Sequence, residues 1–148
     1  MRILLAIDGS KFSEAATQAV VAQARPQKTE VRVVYVIDIH TPQLPEMMVE
    51  YPGIEHARDA QRGPAEAIVA KTAELLRSMG LQVTTAVELG DPKSKIIDAA
   101  EDWHADLIVL GSHGKTGLDR FLTGSVADAV ARHASCSVEV VRIPKSKG

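Results

Sequence analysis

The residues best suited to chemistry sit in one stretch, Gly111-Ser112-His113-Gly114-Lys115-Thr116-Gly117, with Gly124-Ser125 following just before a helical pattern. Glycine lets a backbone approach an anion and turn its N–H groups inward with no Cβ in the way. Gly124-Ser125 stands where unpaired N–H groups and the helix dipole favour phosphate. The Ser125 hydroxyl either caps that helix or donates to a phosphate oxygen. Lys115 offers a point charge for a phosphate, and Arg120 either does the same or solvates the loop. Two familiar phosphate motifs are excluded. A Walker A loop would need glycine at position 109, where Val109 stands. The dinucleotide GxGxxG is absent too, because the spacing here is GxxGxxG. The pattern left is Gly111-x2-Gly114-x9-Gly124-Ser125, read either as a phosphate cradle or as plain turn glycines.

Other chemistry-bearing residues are sparse. Asp8, in the turn Asp8-Gly9-Ser10, either positions a magnesium ion held otherwise by phosphates and water or bonds its own turn backbone. His40, His56, His104, His113 and His133 show no metal-ligand spacing. His113 points at phosphate or at solvent. The single cysteine, Cys136, rules out an internal disulfide and is expected to be a small buried residue. No Ser-His-Asp set assembles, so no catalytic residue is assigned.

These residues need elements to place them. Ile3 to Ile7 reads as a buried strand, and Phe12, Ala16, Ala19 and Val20 as a helical stripe ended by Pro26. Val31 to Ile37 is a second strand. A second helix is predicted from about Pro64 to Met79, with Ile68, Leu75, Leu76 and Met79 as its stripe and Gly80 as its stop. Leu81 to Leu89 is a third strand. Asp91-Pro92 opens a helix through Trp103 as N-cap and first helical residue. Leu107 to Leu110 is a fourth strand, Val126 to Ala134 a fourth helix, and Val138 to Ile143 a fifth strand. This βαβαβαβαβ order predicts one α/β domain over residues 1–148: an open parallel five-stranded sheet with helices on both faces. Strands 1 and 4 are continuously apolar and belong inside. Strand 3 alternates, and strand 5 carries Glu139 and Arg142, so both suit edges. The order is therefore 3-2-1-4-5, with its switch point between strands 1 and 4 and a ligand site beyond their carboxyl ends. The connection from Asp38 to Ala60 leaves that same rim, as a lid, a partner-binding segment or a surface insertion.

Composition narrows the function. The chain has 148 residues, 45% hydrophobic and 24% charged, with a formal net charge of −2. That size buries a core without staples. The charge weakens any reading built on nucleic-acid phosphates, and 3% aromatics are too few for a base-stacking platform. No apolar run reaches membrane-spanning length, and Met1-Arg2 leads straight into a strand, so a cytoplasmic protein is expected.

With the Asp8 turn, the strand and loop LIVLGSHGKTG and the helix start LTGSVADAV, the chain resembles the universal stress protein family over residues 1 to about 144. GxxGx9G[ST] is the signature of that family's ATP-binding branch, and every position of it is kept. The resemblance implies a 3-2-1-4-5 sheet and ATP with Mg2+ as ligand. Ala6 and Asp8 would border the nucleotide, and Val36 would hold adenine through its backbone. Gly111, Ser112, His113, Gly114, Lys115, Gly124, Ser125 and Val126 would line ribose and phosphates. Two departures stand out: Ala6 and Ser137 each replace a proline common in the family. The function implied is a nucleotide-dependent stress-response module. The alternative is a slow ATPase or nucleotidyl-transfer enzyme of the same superfamily, whose HxGH-type or SGGxDS-type signatures this chain lacks. A homodimer through strand 5, Val138 to Ile143, is expected from its unblunted edge and from the resemblance. Val141→Pro would break it if that N–H faces the partner.

Overall fold

The computed structural model describes residues 1–39, 53–114 and 124–144. Nine elements alternate along them: β1 Arg2–Ile7, α1 Lys11–Gln23, β2 Glu30–Asp38, α2 Gly53–Ser78, β3 Gln82–Gly90, α3 Pro92–Trp103, β4 Leu107–Gly111, α4 Ser125–His133 and β5 Ser137–Val141. All strand pairs are parallel, in the order β3-β2-β1-β4-β5. The edges are the two strands whose polar residues predicted it.

The continuous apolar runs of β1 and β2 feed both faces, because successive side chains alternate across a strand. Ile3, Leu5, Ile7, Val31, Val33, Tyr35, Ile37 and Val109 meet α1 and α2 on one face. Leu4, Ala6, Val34, Val36, Ile108 and Leu110 meet α3 and α4 on the other. Helix α1 begins cleanly because Ser10 accepts from Ser13 N–H at 3.2 Å, while Ser13 Oγ donates to the Ser10 carbonyl.

Several boundaries differ from the sequence expectation. Helix α2 starts at Gly53 and carries Pro64 inside it, where the proline was expected at the first position. The turns upstream, Glu55 to Arg62, are mostly polar and show no stripe to extend the pattern. Residues 40–52 of the Asp38–Ala60 connection lie outside the described residues; Asp38 ends β2, and residues 53–60 belong to α2. The buried stripe of α2 is Ala65, Val69, Ala73 and Leu76, whereas Leu75 and Met79 are exposed. Small alanines let this helix sit close to the sheet, which a search for large side chains misses. Asp91 precedes α3 as its N-cap, yet its carboxylate accepts from Ser94 Oγ instead of capping a backbone N–H. Strand β5 stops at Val141, leaving Arg142 and Ile143 beyond it. Cys136 is half-buried, because it lies in the short turn before the edge strand β5.

Candidate functional site

Strands β1 and β4 are neighbours whose chains leave in opposite directions around the sheet, which makes the space beyond their carboxyl ends the switch point of the topology. From β1 the chain turns sharply. Gly9 takes the left-handed φ of +81°, and Ser10 N–H donates to Asp8 Oδ1 at 3.0 Å. One carboxylate oxygen of Asp8 thus closes its own turn. Its other oxygen faces Gly114, where a Cβ would stand 3.1 Å from Asp8 Oδ2. The Asp8 turn and the loop after β4 converge as the sequence expected.

The three glycines of the pattern serve three different approaches. A Cβ on Gly111 would lie 2.7 Å from the carbonyl carbon, carbonyl oxygen and Cβ of Phe12. Gly111 therefore lets α1 press against the end of β4. Gly114 leaves room for the Asp8 carboxylate. Gly124 lets the start of α4 pass the loop, since a Cβ there would sit 3.0 Å from the Ser112 carbonyl oxygen. That carbonyl accepts from Gly124 N–H, and Ser112 N–H donates to the Val141 carbonyl at 2.8 Å. The loop is pinned to β5 on one side and to α4 on the other.

Within this frame the side chains sort by depth. Ser112 is buried (2% exposed), and its hydroxyl lies 3.1 Å from His113 Nδ1. The His113 ring packs on Phe12 with centroids 5.1 Å apart. Ser112 and His113 thus brace the loop. Ala6 and Val36 lie on the α3/α4 face with the half-buried Val126. Helix α4 has Gly124 as N-cap with no side-chain cap, so the capping role offered to Ser125 is not taken; Ser125 is exposed in the first turn. Lys115 and Arg120 lie outside the described residues. Two residues escaped the sequence reading. Phe12 entered only as a helix-stripe residue, although it holds both Gly111 and His113. Lys11 places its ammonium 5.2 Å from the Phe12 ring centroid, a described cation beside the Asp8 turn. Its position directly after the Asp-Gly-Ser turn was the available signal.

Among the described residues no group of three or more His, Cys, Asp or Glu could hold a metal ion. No described helix is long and apolar enough to cross a membrane.

Comparison with known proteins agrees with this architecture. The profile of the universal stress protein family matches residues 1–142. The chain is 33% identical to universal stress protein MJ0531 of Methanocaldococcus jannaschii, covering 99% of this chain and 84% of that one. It is 35% identical to a universal stress protein of Staphylococcus aureus strain USA300, covering 95% and 82%. Among solved structures, the protein MJ0577 superposes with a TM-score of 0.88 at 29% identity, covering 98% of this chain and 97% of that one. UspA from Lactobacillus plantarum superposes at 0.83 with 28% identity, covering 96% and 97%. Two more distant chains share the fold: a universal stress protein in complex with cAMP, at 21% identity, and an Arabidopsis thaliana member with AMP bound, at 14%. Sheet order, glycine spacing and these matches lead to one conclusion: the chain belongs to the universal stress protein family.

Proposed function

We propose that this chain binds ATP with Mg2+ at the switch point beyond β1 and β4, and acts as a nucleotide-dependent stress-response module. The observation that carries the reading is the convergence of the Asp8 turn, the Gly111–Gly114 loop and the uncapped N-terminus of α4. Such a meeting of backbone N–H groups and a helix dipole suits phosphate. The adenine nucleotides bound by the cAMP and AMP complexes are properties of those proteins, which share the fold with this chain. Here Ala6, Asp8 and Val36 border the base and ribose. Gly111, Ser112, His113 and Gly114, with Lys115, form the phosphate loop, and Gly124, Ser125 and Val126 close it. Asp8 would position the magnesium ion, whose other ligands would be phosphates and water. No general base is assigned beside the phosphates, so any ATP hydrolysis is slow.

Thermal unfolding tests the reading. At a hundredfold excess over Kd, ATP·Mg2+ stabilises the fold by about 2.7 kcal/mol. For a chain of this size the melting temperature rises by about 5–10 °C. No shift at millimolar ATP, with nucleotide-free protein, overturns it. Gly114→Val and Gly124→Val remove the shift while the circular dichroism spectrum stays near wild type. Unchanged affinity in both would reduce these glycines to turn residues.

We also propose a homodimer joined along β5. The structure redirects the test of that edge. The Val141 carbonyl accepts from Ser112, so residues 139 and 141 turn their peptide groups toward β4, and Val138 and Val140 turn theirs outward. Val140→Pro, not Val141→Pro, removes a partner-facing donor and yields monomer by light scattering. Wild-type protein with a monomer mass at tens of micromolar ends the dimer claim.

A further inference from the structure

The opposite edge of the sheet, β3, is longer than β5 and stands beside a groove. Ile39 N–H donates to the Gly90 carbonyl, which turns the even-numbered peptide groups of β3 toward β2. The odd-numbered groups, at Val83, Thr85, Val87 and Leu89, therefore face outward. Arg77 Nη2 caps the Val83 carbonyl at 2.9 Å. No described group caps Thr85 or Val87. Between this edge and α2 runs a groove of about 370 Å³, lined by Arg62, Glu66, Val69 and Ala70 with Thr85 and Val87. Its floor is apolar at Val69, and its rim carries Arg62 and Glu66, exposed and one helical turn apart. Neither makes an ion pair among the described residues.

A helix lying beside a strand edge that no described group caps at Thr85 or Val87 is a geometry that takes an extended peptide, with main-chain bonds giving affinity and alternate side chains giving specificity. The charges say what that peptide carries. Four residues of helix advance about 6 Å, and two residues of strand about 6.7 Å, so alternate residues of an added strand match Arg62 and Glu66. We infer that the β3 edge and the α2 groove take an extended polypeptide segment as a sixth strand. That segment turns a basic and an acidic side chain, two residues apart, toward Glu66 and Arg62, with a small side chain over Val69 and Ala70. The site lies on the strand edge farthest from β5 and owes nothing to the nucleotide site.

Fluorescence polarisation with labelled, end-blocked heptapeptides tests this on the full chain. The probes are Ala-Val-Lys-Val-Glu-Val-Ala and its reverse charge order, against Lys-Val-Lys and Glu-Val-Glu versions. At least one mixed-charge peptide binds, and the like-charge peptides bind at least about fivefold more weakly. In Arg62→Glu the preference moves to the Lys-Val-Lys peptide, a switch that altered folding alone does not produce. Thr85→Pro, which removes an outward N–H while leaving the β2 ladder intact, abolishes binding. Absence of binding at millimolar peptide overturns the inference, as does equal binding of all four peptides. Self-association abolished by Thr85→Pro overturns it in favour of a second copy of the chain on this edge.

Discussion

At the amino ends of its strands the sheet is closed by side chains, and at the carboxyl ends by backbone. The amino rim is dense with bonds between its own groups. The Met1 ammonium donates to the Lys28 carbonyl at 2.9 Å, Arg2 N–H donates to Asp106 Oδ2 at 2.7 Å, and Arg2 Nη1 donates to the Trp103 carbonyl at 2.7 Å. The guanidinium groups of Arg2 and Arg32 lie 5.6 and 4.9 Å from the Trp103 ring centre. This rim also holds a polar pocket of about 430 Å³, near Met1, Arg2, Glu30 and Asp106. The carboxyl rim has instead three close glycine approaches and a helix start with no side-chain cap. The amino rim is tied by bonds among charged and main-chain groups, whereas at the carboxyl rim the first turn of α4 carries no side-chain cap.

The largest effect expected from breaking this contrast comes at Gly111. A methyl there would stand 2.7 Å from the Phe12 backbone, and backbone cannot swing aside as the end of a long side chain does. Gly111→Ala should cost roughly 3 kcal/mol, the upper range for overpacking, read as a lowered urea midpoint. ATP stabilisation should be lost with it, because α1 and the loop after β4 part together. A stability within 0.5 kcal/mol of wild type, roughly the scatter of surface substitutions, would show that the carboxyl rim is slack. Gly63→Ala is the matched control. Apart from its chain neighbours nothing lies within 4 Å of a Cβ there, and the helix propensity alanine adds, up to about 1 kcal/mol, is opposed by crowding against the Pro64 ring, so the net change should be small.

A smaller effect is expected at the amino rim. Arg2→Ala keeps the backbone bond to Asp106 but loses the guanidinium bond to the Trp103 carbonyl and the stacking on its ring. The Arg2–Glu30 pair at 3.7 Å is half-exposed and adds little. The loss should be about 1 kcal/mol, accompanied by a change in the emission of Trp103, the chain's single tryptophan. ATP affinity should not move. A weakened affinity would mean that the two rims are coupled through β1 and would erase the contrast.

The parts legible in the sequence were those written in local pattern. Strand order followed from apolar runs in Ile3–Ile7 and Leu107–Leu110 against the alternation of Leu81–Leu89, since burial on both faces and burial on one leave different composition. That order also placed the Asp8 turn beside the loop after β4, where Asp8 Oδ2 faces Gly114. The parts not legible depend on pairings distant in sequence. Phe12 meets Gly111 only because β1 and β4 are neighbours. Whether Val140 or Val141 faces outward depends on the register of β5 against β4. In the stripe of α2, Leu76 and Ile68 do pack on the core, but Ala65 and Ala73 join them where Leu75 and Met79 were expected, and the helix start was hidden by Pro64, which normally opens a helix.

The smallest expected effect reaches the amino rim through its one thiol. Burial raises the pKa of Cys136 above the ordinary thiol value, a hydrogen bond to its own backbone opposes this, and the negative charge of Asp106 adds to the rise. The folded state thus holds its proton to higher pH than the unfolded chain, whose thiol ionises near about 8.5. Above that pH the unfolded state binds fewer protons than the folded one, so this group's contribution to stability is present below it and falls as pH rises toward the folded pKa. Thiolate is the reactive form, so iodoacetamide at pH 8.5 should alkylate folded protein more slowly than protein in urea. Asp106→Asn removes the third cause and should quicken the folded reaction slightly, even though it disturbs the bond from Arg2 N–H. Equal rates in folded and unfolded protein would show that the turn before β5 opens to solvent. A rate unaffected by Asp106→Asn would confine the aspartate's role to holding Arg2.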